Sequence, residues 1–136
     1  MIVVDTNVWS ELAKPRPSPR VLTWEAENAP RLWLSTVVLA EWRAGAALMP
    51  PGRNREALST LIETVASAYA DRLLPFDERC SRFYGSVLAD ARGAGKPIAT
   101  ADAMIAATAR AHGMSLATRN RNDFAGAAVP LIDPWS

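Results

Sequence analysis

Four acidic residues stand where a lone carboxylate is hard to account for. Asp5 ends the apolar run Ile2-Val3-Val4 and is followed by Thr6 and Asn7. Glu41 shares one helical face with Val37, Val38, Gly45 and Leu48, where an unpaired carboxylate is costly. Asp102 falls in the first turn of a helix, and Asp123 lies just beyond a strand that ends at Thr118. Each has an ordinary explanation alone. Asp5 or Thr6 can cap the next helix, Asp102 can answer a helix dipole, and Glu41 can pair with an arginine. As a set they suggest more. Two carboxylates 4 Å apart repel by roughly 4 kcal/mol at an effective dielectric near 20, so four that converge call for a cation. An oxygen-only, histidine-free ligand set selects hard ions, Mg²⁺ or Mn²⁺. A hard ion in an acidic cup suits phosphoryl chemistry, where it activates water and steadies charge on phosphate.

The elements that carry these residues are legible from periodicity and caps. Ile2 to Val4 reads as a strand buried on both faces, followed by a short helix over 8–13. Prolines at 15, 17 and 19 interrupt it, and Ser18-Pro19 opens a second helix to about Asn28. Arg31 to Ser35 is a second strand, and Ser35 or Thr36 caps a helix to about Leu48. Pro50-Pro51-Gly52 ends it, and a fourth helix covers about 54–70. A strand over 72–76 precedes a helix capped by Asp77, with Cys80 in its apolar stripe as a small core residue. Thr100 is the expected cap of a helix reaching His112, with Gly113 as its C′ residue. Strands over 115–118 and 129–132 complete the set. Strands alternating with helices predict a parallel sheet covered on both faces, with ligands beyond the carboxyl ends of its strands. All four acids lie at such ends or at the starts of the helices that follow.

Other chemistries fit poorly. Gly95-Lys96 lacks the glycine and hydroxyl of a phosphate loop, since Asp90 and Pro97 occupy those places. His112 is the only histidine and Cys80 the only cysteine, which disfavours zinc and rules out an internal disulfide. No serine-nucleophile elbow or dinucleotide fingerprint occurs. An aspartyl phosphatase would want a second aspartate where Asn7 stands. The 136 residues suit a single domain over 1–136. At 49% hydrophobic and 21% charged, the chain is globular rather than disordered. With no signal peptide and no apolar stretch of membrane length, the expectation is a soluble cytoplasmic protein. A net charge of +1 neither demands nor excludes nucleic acid.

The motifs Val4-Asp5-Thr6-Asn7, Ser35-Thr36-Val37 through Leu39-Ala40-Glu41 with Gly45, and Pro50-Pro51-Gly52 occur in that order. Asp102 to Ala109 with His112-Gly113, and Ala117-Thr118-Arg119-Asn120 with Asp123-Phe124, follow. In these motifs the chain resembles PIN-domain ribonucleases, specifically VapC-type toxins of the FitB-like subgroup. Trp9 and Trp42 depart from the smaller or aliphatic side chains common at those places and leave the acid set untouched.

The resemblance implies a three-layer α/β/α fold with a five-stranded parallel sheet and cleavage of single-stranded or looped RNA. It implies that Asp5, Glu41, Asp102 and Asp123 are catalytic and hold one or two Mg²⁺ or Mn²⁺ ions, with Asp5 central. Thr6, Asn7, Thr118 and Asn120 would orient those carboxylates and meet the substrate phosphate. Arg119 or Arg121 would hold neighbouring phosphates, or be ordinary solvated loop charges. A cognate antitoxin and a homodimer are the implied protein partners. Trp9 or Trp24 would suit such a contact if exposed, and core packing accommodates them equally. The rival reading is a catalytically silent module that binds an antitoxin or RNA without cutting.

Overall fold

The computed structural model describes residues 1–136. Five strands, β1 (Ile2–Val4), β2 (Leu32–Ser35), β3 (Leu73–Leu74), β4 (Ser115–Ala117) and β5 (Leu131–Ile132), form one sheet in the order β3-β2-β1-β4-β5. Every pairing is parallel. Six α-helices accompany them: α1 (Thr6–Leu12), α2 (Pro19–Asn28), α3 (Thr36–Ala47), α4 (Arg53–Ala68), α5 (Glu78–Gly93) and α6 (Thr100–Ala111). Successive strand residues face opposite sides of a sheet. Ile2, Val3 and Val4 are all at most 1% exposed, so helices cover both faces and the layering is α/β/α. The predicted fold class holds. No helix is long and apolar enough to cross a membrane.

The strand order reverses between β1 and β4, which pair from Ile2–Ser115 to Val4–Ala117. Such a reversal leaves a crevice at the carboxyl edge of the sheet. Asp5 and Thr118 are the first residues past these two strands, so register alone sets them side by side. The Asp5 N–H continues the ladder by donating to the Ala117 carbonyl at 2.9 Å.

Several local expectations are corrected. The first helix begins at Thr6 rather than Val8, because Asp5 is its cap. The third strand is confined to Leu73–Leu74, and the fifth to Leu131–Ile132. Thr100 is the first residue of α6, not its cap; the cap is Ala99, which has no side-chain acceptor. The extended backbone at Ala99 starts the helix one residue early, and Asp102 is the only acid in its first turn. Leu48 is 86% exposed and Gly45 is exposed too, so the face of α3 bearing Glu41 borders an open cleft. Trp9 is buried: its indole N–H donates to the Val4 carbonyl at 3.1 Å. Its ring stacks on Trp42 at 6.2 Å and meets the edge of Tyr69 at 5.0 Å. Core packing therefore accounts for Trp9 and Trp42. Asp77 caps α5 as expected, accepting from the Cys80 N–H, and Cys80 is fully buried.

Gly126 is where the loop after β4 passes against the end of α5. A Cβ there would lie 3.0 Å from the Ala91 Cα and 3.3 Å from the Cβ atoms of Ala94 and Lys96. Backbone cannot yield as a flexible side chain does. Gly126→Ala is expected to cost about 1–3 kcal/mol by overpacking, seen as a drop of several degrees in the thermal midpoint.

Candidate active site

Asp5 is 6% exposed, and its carboxylate is held from three directions. Oδ1 accepts the Thr6 N–H at 2.8 Å, the capping bond of α1. Oδ2 accepts the Thr118 hydroxyl at 2.8 Å and the Asn7 amide at 3.3 Å. Asn7 also donates to Thr118 Oγ1 at 3.2 Å and accepts the Arg119 N–H at 3.3 Å. The Asn120 N–H completes the set by donating to Thr118 Oγ1 at 3.0 Å. Asp5 is thus both a helix cap and part of a site. Burial pushes its carboxyl above the ordinary range, against the Thr118 and Thr6 hydrogen bonds and with a smaller push from Asp123.

The other acids arrive from different elements. Glu41, on α3, accepts the Thr6 hydroxyl at 3.1 Å and takes part in no ion pair. The arginine partner considered for it is not there. Burial raises its carboxyl, opposed by the Thr6 bond and aided by the charge of Asp5. Asp102, half-buried in the first turn of α6, is pushed up to about 6, first by burial and then by Asp5, Glu41 and Asp123. Asp123 lies in the short 3₁₀ turn Arg121–Phe124. All four acids line one cavity of about 460 Å³, with Thr6, Asn7, Arg119 and Asn120 among its other walls. Thr118 lies beneath it, fully buried, and Arg121 is not part of the lining.

Ser10, Glu11, Lys14 and Trp135 also line the cavity and were not singled out from the sequence. Three were within reach of sequence reasoning, since Asn7, Ser10, Glu11 and Lys14 fall at i, i+3, i+4 and i+7 on one helical face. Glu11 is buried; it accepts from Lys14 Nζ at 2.9 Å and from the Ser18 N–H at 3.0 Å. The Lys14 bond is the main reason its carboxyl lies below the ordinary range. Glu11 is committed to that pair, unlike the four acids whose bonds leave oxygen lone pairs free.

The donor set suits a hard cation. A carboxylate has about four lone-pair positions, so Asp5 retains capacity beyond its three bonds. No three His, Cys, Asp or Glu side chains close on one point as they stand. Mg²⁺ keeps several waters and takes one or two carboxylates directly. The raised carboxyls of Asp102, Asp5 and Glu41 have mutual repulsion among their causes, which a cation between them would relieve.

Thr118 joins three of these groups through one oxygen. Thr118→Val would unpair the Asn120 N–H and remove the shortest donor to Asp5 Oδ2. Unfolding free energy, measured by urea titration, is expected to fall by about 1–3 kcal/mol, the cost of taking a donor from the buried Asp5 carboxylate.

Comparison with known proteins agrees with the fold. The PIN domain family profile matches residues 2–129. The chain is 46% identical to the VapC ribonuclease Y4jK of Sinorhizobium fredii, over 99% of this chain and 98% of that protein. It is 39% identical to toxin FitB of Neisseria gonorrhoeae, over 99% of each. The crystal structure of FitAcB from Neisseria gonorrhoeae superposes with a TM-score of 0.91 at 39% identity, again over 99% of each chain. A match of this extent, on a sheet whose order reverses beside a buried aspartate, places the chain in the PIN domain family.

Proposed function

We propose that this protein is a metal-dependent endoribonuclease, the toxin of a toxin–antitoxin pair, working in the cytoplasm. One observation carries the reading: Asp5, Glu41, Asp102 and Asp123, brought from four elements, face a single cavity. The ribonuclease and toxin named among its relatives support the same activity.

Asp5, Glu41, Asp102 and Asp123 would hold one or two Mg²⁺ or Mn²⁺ ions. When bound, such an ion supplies an activated water and charge stabilisation at the scissile phosphate. The chain's own groups prepare the place. Thr118 and Asn7 fix the orientation of the Asp5 carboxylate, and Thr6 does the same for Glu41. Support of this kind typically carries 10- to 100-fold in affinity or activity. Arg119 and Lys14 stand at the rim, where they can meet RNA phosphates and offset the repulsion of an acidic cup. The fourfold negative charge favours, as protein partner, an antitoxin segment bearing a cation that would enter the cup in place of the metal. Homodimerisation belongs to the same proposal.

The test is cleavage of a panel of single-stranded and hairpin RNAs by the purified, partner-free protein, with Mg²⁺ or Mn²⁺ and with EDTA. Metal-dependent cutting that EDTA abolishes supports the reading. Failure to cut any RNA, with no metal binding by calorimetry, overturns it in favour of a silent binding module.

A further inference from the structure

Arg119 is set apart from the other cavity cation, Lys14, by having no carboxylate within ion-pair distance. The four ion pairs in the protein are Lys14–Glu11, Arg43–Glu63, Arg82–Glu78 and Arg110–Asp90. The Arg119 guanidinium instead lies over the ring of Trp135, 5.0 Å from its centroid. Both ends of this arrangement are tied down. The Arg119 N–H donates to Asn7 Oδ1, and Asn7 holds Asp5. On the other side, the Trp135 N–H donates to Asp133 Oδ1 at 2.9 Å and the Ser136 N–H to the Asp133 carbonyl at 3.1 Å. Trp135 is the only apolar side chain on the cavity wall. β5 runs parallel to β4, so the residues after it reach the same edge of the sheet as Arg119.

An arginine free to move beside four acids would fall onto them and block the place a cation needs. A guanidinium resting on an aromatic face is held by its π surface and keeps its N–H edge open for bidentate contact with phosphate. We propose that Trp135 is a positioning residue: its ring holds Arg119 at the cavity rim as a clamp for the RNA phosphate next to the one being cut. The inference rests on the nuclease reading for its substrate, but its test does not require cutting.

The probe is a fluorescein-labelled, mixed-sequence single-stranded RNA of 12 nucleotides, bound to the full chain in EDTA across a salt series and followed by anisotropy. Arg119→Gln removes one phosphate contact. It is expected to weaken binding about tenfold, the scale of a hydrogen bond to a charged group, and to reduce the log–log salt slope by about 0.7. Trp135→Met keeps apolar bulk without a π face and is expected to lose a similar share of the slope. Trp135→Phe is expected to restore it, and the double variant Arg119→Gln/Trp135→Met to fall no lower than either single one. Thermal melts confirm that each variant is folded, and the phenylalanine rescue separates ring chemistry from simple packing. Trp135→Met keeping the wild-type slope, Arg119→Gln keeping it, or no RNA binding by the wild type each overturns the clamp. The expected slopes without cutting in Mg²⁺ would support the clamp and overturn the nuclease reading. Metal-dependent cutting with unchanged slopes would do the reverse.

Discussion

Asp5→Asn is expected to lower RNA cleavage at least about a hundredfold, since loss of a supporting group alone reaches that figure. The substitution is nearly isosteric. The amide oxygen can still accept the Thr6 N–H and keep the cap of α1, while the charge at the base of the cavity is gone. The new NH₂ would face the Asn7 amide, donor against donor, where Oδ2 now accepts it. Removing a buried carboxylate that burial has already pushed above its ordinary range offsets that cost, so the melting temperature should change little. Two measurements separate the effects. Single-turnover cleavage reads the activity. Thermal melts with and without Mg²⁺ read the metal, because a ligand that binds only the folded state raises its stability. In the variant that Mg²⁺-induced rise is expected to shrink towards zero. Wild-type cleavage by Asp5→Asn would remove Asp5 from the mechanism.

Asp102 is expected to give the protein two opposite responses to pH. Its carboxyl is pushed up to about 6 in the folded chain from an ordinary 3.8. Between these values the metal-free folded state binds more protons than the unfolded one, so stability falls as pH rises through the window. Asp102→Asn removes this penalty. At pH 7 the metal-free variant is expected to be more stable than wild type by about 1 kcal/mol, a figure reduced for the partial exposure of the group. At pH 4 the two should converge. Cleavage runs the other way, because a protonated carboxyl is a poor ligand. Rates should fall as pH drops below about 6, by up to about tenfold per unit if one proton competes with the cation. Rates measured at fixed Mg²⁺ from pH 5 to 8 check this. A flat profile would mean that Asp102 does not titrate in the working site.

Much of this arrangement was legible because it follows from local rules. β1 could be read from three apolar residues, and the acid after it from the rule that sites lie at strand ends. Asp77 as a cap and Cys80 as a core residue needed only their neighbours. Expectation and structure part where backbone conformation or a distant contact decided the outcome. Thr100 is a good cap by type, but Ala99 takes that position. Trp9 could not be placed until the Val4 carbonyl was seen to satisfy its N–H. Glu11 and Lys14 were within reach, one turn and two turns past Asn7 on the same face. Trp135 was not, because its address depends on the register of β5 against β4, where Leu131 pairs with Leu116. Nothing in Asp133-Pro134-Trp135 itself points towards Arg119.

The bond from Thr118 to Asp5 joins residues 113 positions apart, and the strands leading to them pair at the centre of the sheet. While a ribosome is still extending the chain, β1 has no β4 to pair with and Asp5 has no Thr118 to orient it. The acidic cup therefore forms only after nearly the whole chain has been translated. A growing chain carries Asp5 from the start, yet the four acids can share one cavity only once β4 and the turn that follows it are in place.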